Sequence, residues 1–207
     1  RTAPLELDAD YVVYQGLGDY SFLDVANATR IEILDCGAGG DEAYGLNLSG
    51  SSSGADVFVN VDSGRMVGIG AFEDAGWTGT DLHVLNGQVD IGDDLALSGT
   101  LHLSGGDVQL RDETERVAMS AGTLTLAPNG NIGTSLNLRG GLFKWQAGGT
   151  IAALNISGGG VVDASASGDA KTISALTWYG EGHIIDPLKT ITISAITFQV
   201  GGNLAFA

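Results

Sequence analysis

Carboxylates crowd into two short stretches, Asp90, Asp93 and Asp94, then Asp107, Asp112, Glu113 and Glu115. Two carboxylates about 5–9 Å apart can divide acid and nucleophile or base roles on a glycosidic bond, and a group of three can hold Ca²⁺. His83 and His102 are a second candidate, because two neutral imidazoles can share a metal ion. Ser/His/Asp catalysis needs a buried, oriented histidine, and nothing in the sequence marks one. The single cysteine, Cys36, forms neither an internal disulfide nor a paired-cysteine metal knuckle.

The chain that must position these groups has 207 residues, with 33 Gly, 3 Pro and a formal charge of −16. That length suits one domain or one elongated array. So acidic a chain lacks the basic face that nucleic acid or anionic lipid requires, so neither is expected as a partner. No apolar run approaches the ~20 residues of a membrane-crossing helix. Arg1 in first place is read as processing, trimming or partial coverage, with no signal peptide visible. Hydrophobic residues at 43% exclude simple disorder. Abundant Gly beside Val, Ile, Leu and Thr, without a sustained helical period, predicts short strands and tight turns. The chain reads as all-β.

An internal repeat then sets the architecture. The template apolar-x-apolar-x-x-Gly-x-apolar fits Val59, Val61, Gly64 and Met66, then Leu82, Val84, Gly87 and Val89. It returns at Leu101 to Val108, Val117 to Leu124, Leu136 to Phe143 and Leu154 to Val161. Lys171 to Trp178 aligns without gaps on Ile191 to Phe198, the glycine being replaced and Lys171 breaking the first apolar position. Starts at 59, 82, 101, 117, 136, 154, 171 and 191 predict coils of roughly 16–23 residues. Alternation directs both apolar residues to one face, and glycine supplies the bend. A coil this short cannot hold a strand–helix–strand unit, which takes ~30 residues. It suits two or three strands wound once about an axis. The expected fold is a single-stranded parallel β-helix, a β-solenoid, right-handed by the usual crossover preference. Residues 1–58 read as an irregular acidic β region with a Gly/Ser-rich loop at 37–54, and residues 59–207 as the regular β-helix.

Stacking predicts outward ladders. One runs through Asn60, His83, His102, Ala118, Asn137, Asn155, Thr172 and Thr192. The other runs through Asp62, Leu85, Ser104, Ser120, Arg139, Ser157, Ser174 and Ser194. No carboxylate or cysteine stands on a neighbouring rung of the histidine ladder, so the pair is read as a simple outward stack. Val89 to Leu101 spans 12 residues and Val108 to Val117 only nine, so the charged turn tolerates deletion. Asp93-Asp94 and Asp112-Glu113 are therefore read as solvated turn residues. Gly39-Gly40-Asp41 fits one fragment of a nonapeptide calcium repeat and lacks a stacked copy. Trp178-Tyr179 offers a sugar-stacking surface, but Trp178 falls at the template position of Phe198 and Val161 and is read as core. Asn27, Asn47 and Asn155 head glycosylation triplets of a kind that arises by accident.

Two resemblances follow. Gly180-Glu181-Gly182-His183-Ile184 resembles the Gly-His-Gly element of the pectin-hydrolase β-helices, but Ile184 replaces the last glycine. That family's Asn-Thr-Asp and Arg-Ile-Lys elements are absent. From Val59 to Phe198 the coil template, the Ser/Asn/Thr ladders and the acidic balance resemble the short β-helices of tailed-phage virion proteins and bacterial surface adhesins. This resemblance implies a non-enzymatic role as a capsid decoration (cement) protein, head fibre or tail adhesin. It further implies a homotrimer partnered by major capsid protein or other virion subunits at the virion surface. Its alternatives are a glycan-binding adhesin or tailspike and a polysaccharide lyase or hydrolase. No catalytic residue, cofactor or metal is assigned. The apolar ending Ile196, Phe198, Val200, Leu204 and Phe206 is expected to be an interface, and truncation after about Val200 is expected to abolish assembly while sparing the coils.

Overall fold

The computed structural model describes residues 5–16, 21–38, 44–51, 54–70, 77–92 and 95–199. The described chain is a β-solenoid of about nine turns, built on parallel strands without a helix. Each coil contributes one strand to each of two long parallel sheets. The first runs from Leu5–Asp8 through Ser21–Ala26, Leu46–Ser51, Met66–Ile69, Gln88–Ile91, Asp107–Leu110, Thr123–Leu126, Leu142–Trp145 and Val161–Asp163 to His183–Ile185. The second runs from Tyr11–Gln15 through Arg30–Asp35, Asp56–Asn60, Leu82–Asn86, Thr100–Leu103, Glu113–Met119, Asn131–Leu138, Gly149–Ile156 and Lys171–Trp178 to Ile191–Ile193. Ile196–Phe198 also pairs with Lys171–Trp178.

Register can be followed along one inward position of the second sheet: Val12, Ile31, Val57, Leu82, Leu101, Val117, Leu136, Leu154, Leu176 and Ile196. The successive steps are 19, 26, 25, 19, 16, 19, 18, 22 and 20 residues. Two coils therefore sit in a register different from the one the template predicts. Val57, not Val59, pairs with Leu82. Val57-x-Val59-x-Val61 satisfies apolar alternation at two offsets, so the pattern alone cannot choose. Likewise Leu176 pairs with Leu154, while Lys171–Ile173 pairs five residues earlier with Gly149–Ile151. The later strands are irregular: register shifts between Thr114 and Arg116, and Thr114, Ile132, Ile151 and Ile173 are buried ahead of the main inward position. Parallel pairing crosses residue 58 without interruption, from Arg30–Asp35 to Asp56–Asn60 to Leu82–Asn86.

The axis is filled by Val, Leu and Ile, each fully buried one contributing about 1.5–3 kcal/mol. Phe143 and Trp145, both buried, pack within one coil with ring centroids 5.9 Å apart. At the predicted bend Gly87, Gly106, Gly122 and Gly141 all have φ between 72° and 95°. They also stack. A Cβ on Gly106 would strike the carbonyl oxygen of Gly87, one on Gly122 that of Gly106, and one on Gly141 that of Gly122. Lys171 is buried rather than a defect in the core: its ammonium donates to the carbonyls of Ser167 (3.1 Å) and Asp169 (2.9 Å), closing the preceding loop.

Candidate functional site

Between the inward residues of the second sheet lies an outward ladder whose order the pairing fixes: Glu32, Phe58, His83, His102, Ala118, Asn137, Asn155, Thr177 and Thr197. Phe58 holds the rung predicted for Asn60, and Thr177 and Thr197 hold those predicted for Thr172 and Thr192. Both changes follow from the register shifts above. Thr172 pairs instead with Thr150 and Thr192. In the second ladder Ser104, Ser120, Arg139 and Ser157 succeed one another, then Tyr179 and Gln199 stand where Ser174 and Ser194 were predicted.

Because parallel rungs repeat every ~4.8 Å, flat side chains on adjacent rungs meet face to face. The rings of Phe58 and His83 stack at 4.3 Å, and those of His83 and His102 at 4.5 Å, each pair within 4° of parallel. Arg30 covers the free face of Phe58 at 4.0 Å and is held there by Glu32, with Nε–Oε1 at 2.7 Å. Burial first, and then the neighbouring His102, hold the His83 imidazole below its ordinary pKa. A carboxylate does join this pair, contrary to the sequence reading. Asp81 enters from the residue just before the strand. Its Oδ1 accepts the Thr100 backbone N–H at 2.6 Å, and its Oδ2 lies 3.5 Å from His102 Nε2. One ligand atom from each of Asp81, His83 and His102 lies within 4.8 Å of the other two. The template missed Asp81 because it examined only positions inside the strand.

The carboxylate-rich stretches divide between faces. Asp90 is buried on the outside of the first sheet, where Arg111 donates from Nε (2.8 Å) and Nη2 (3.0 Å) and the Tyr44 hydroxyl donates at 2.9 Å. Burial, then the Asp90 charge, raise the Tyr44 pKa to about 12. The Tyr44 ring lies across Gly68, where any Cβ would meet it. Sequence reasoning missed this clamp, since Tyr44 and Asp90 lie 46 residues apart. Glu113 and Glu115 belong to the other sheet, accepting hydrogen bonds from Asn131 and Thr134 respectively. Asp93 and Asp94 lie outside the described residues, as does Gly39-Gly40-Asp41.

The remaining candidates are placed as follows. Cys36 is buried, and burial, with Asp35 next, pushes its thiol to about 11, removing it as a nucleophile at neutral pH. Asn47 is buried and closed to glycosylation, while Asn155 Nδ2 donates to Asn137 Oδ1 at 2.7 Å. Trp178 is half-buried, paired between Ile156 and Phe198; Val161, its predicted equivalent, is on the other sheet. Shallow clefts follow the second sheet past Ser120, Asn137, Arg139, Asn155, Ser157 and Tyr179. Of the expected interface, Ile196 and Phe198 are 47% and 62% exposed, and Val200, Leu204 and Phe206 lie outside the described residues. No protein-family model matches the chain, and no curated protein or solved structure matches it either.

Proposed function

We propose that this chain is a non-enzymatic structural protein of a bacteriophage virion, a capsid decoration protein that stands as a stiff rod on the capsid lattice. In this reading it associates as a homotrimer and partners the major capsid protein at the virion surface. The observation that carries the reading is the last coil. There Ile193, Ile196 and Phe198 lie exposed on strands whose outer edges have no neighbour among the described residues. Such an edge, apolar and unpaired among the described residues, suits a covering chain. Charge supports the same polarity. Residues 1–115 hold 21 acids and four bases, a net of −17, whereas residues 116–207 hold four acids and five bases, a net of +1. The near-neutral end suits docking and the acidic end suits solvent. Ion pairs and hydrogen bonds on Asp90, Glu113 and Glu115 also suit a stabilising role rather than a hydrolytic one.

The test is a variant carrying Ile196→Asp and Phe198→Asp. It should keep the far-UV circular dichroism of the parent, sediment as a monomer and fail to decorate capsids. Decoration at the parent's level would defeat the proposal. A second reading, a glycan-binding adhesin, rests on the cleft where Arg139, Asn137 and Asn155 flank the exposed Tyr179. Saturable binding of a surface oligosaccharide, lost in Tyr179→Ala, would select it.

A further inference from the structure

We propose that Asp81, His83 and His102 form a binding site for a divalent transition-metal cation of the Zn²⁺ class, shared between two successive coils. Asp81 and His83 come from one coil and His102 from the next, so the cation would staple them together.

The donor set fits that class. Two imidazoles and one carboxylate suit borderline cations, whereas Ca²⁺ and Mg²⁺ want oxygen alone. One donor pair already has the required separation. In a tetrahedral site with bonds of about 2.0–2.1 Å, neighbouring donors lie about 3.3 Å apart. His102 Nε2 and Asp81 Oδ2 are already 3.5 Å apart, and the three donors lie within 4.8 Å of one another. Drawing in His83 takes a turn of its ring toward His102 and Asp81. Parallel rings direct their in-plane lone pairs side by side, so binding at the ring edges turns the two imidazoles toward one another and out of the parallel stack.

The surroundings support the same assignment. The Thr100 N–H fixes Asp81 through Oδ1 and leaves Oδ2 to bind, the kind of outer contact that orients metal ligands. Phe58 closes one side of the imidazole pair by stacking. On the other side the next rung is Ala118, small enough to leave room for a coordinating water. The acidic half of the chain raises the local concentration of cations. This inference is independent of any role on a capsid.

The experiment is titration of the ¹⁵N-histidine-labelled protein with Zn²⁺ in excess Mg²⁺, followed by NMR and calorimetry. His183, on the first sheet and exposed, is the internal reference. One equivalent should shift the ring nitrogens of His83 and His102 and leave His183 unchanged. His102→Ala should weaken binding more than about 100-fold, and Asp81→Asn, which can still accept from Thr100, about 10- to 100-fold. His183→Ala should leave the affinity unchanged, and saturating Zn²⁺ should raise the Tm of the parent by about 5 °C but not that of His102→Ala. Equal shifts at all three histidines, or equal affinity in a folded His102→Ala variant, would overturn the assignment.

Discussion

Gly122→Ala isolates the stacked-glycine bend from every other feature of the coils. Gly122 has φ of 81°, a conformation that costs a residue with a Cβ about 1–2 kcal/mol. The new methyl would also fall on the carbonyl oxygen of Gly106, with Gly105 backbone atoms at 2.9 and 3.0 Å. None of these is a flexible side chain. The Gly106 carbonyl cannot withdraw without lengthening its 2.9 Å bond from the Thr123 N–H, which joins the two coils. Overpacking of this kind costs about 1–3 kcal/mol. Together the loss is about 3 kcal/mol, which for a chain of this size lowers Tm by about 6–12 °C. Trp145 reports it well, being buried in the strand that pairs with Thr123–Leu126. Its fluorescence should follow the shift in thermal and urea melts. Gly168→Ala is the control, with ordinary φ and open space at its Cβ, and should move stability by no more than about 0.5 kcal/mol. A Gly122→Ala protein melting within about 1 °C of the parent would refute the reasoning that coil stacking, and not the turn alone, selects glycine here.

Three further outcomes can be checked together. Lys171→Met should lower stability by about 1–3 kcal/mol in a urea melt, because the carbonyls of Ser167 and Asp169 lose their buried donor. Cys36 should react with a thiol reagent at pH 8 at least about 100-fold more slowly in the folded protein than in urea, its thiol standing at about 11. Asp186 accepts from the N–H groups of Ile191 and Thr190, which hold its pKa below 3.8. Its folded pKa is depressed, so its contribution is complete above the unfolded value and is lost as pH falls through the folded one. Protection of the Ile191–Ile193 amides relative to an unstructured chain should therefore fall below about pH 4 in the parent, and Asp186→Asn should flatten that acid response.

What the sequence could and could not disclose follows from the range of each interaction. Alternation and a positive-φ glycine act within a few residues, so the coils from Leu82 to Ile156 and the bends at Gly87, Gly106, Gly122 and Gly141 were legible. Offsets were not legible where two frames bury equally well. Val57-x-Val59-x-Val61 is one such run. Lys171–Trp178 is another, because its buried residues Ile173 and Leu176 stand three apart and break the alternation within one strand. The imidazole stack was legible from the repeat, but its carboxylate was not, since Asp81 precedes the strand and reaches His102 only through stacking. Tyr44 on Asp90 joins groups two coils apart through a segment with no periodic signature.

Cryo-electron microscopy of the native particle tests the proposed role most directly. Nine steps of about 4.8 Å make a rod about 43 Å tall. The account predicts such rods in groups of three on the capsid lattice, with the Ile196–Phe198 coil seated against the shell and the acidic coils outermost. A shell free of such density, or rods seated by their acidic end, would contradict it.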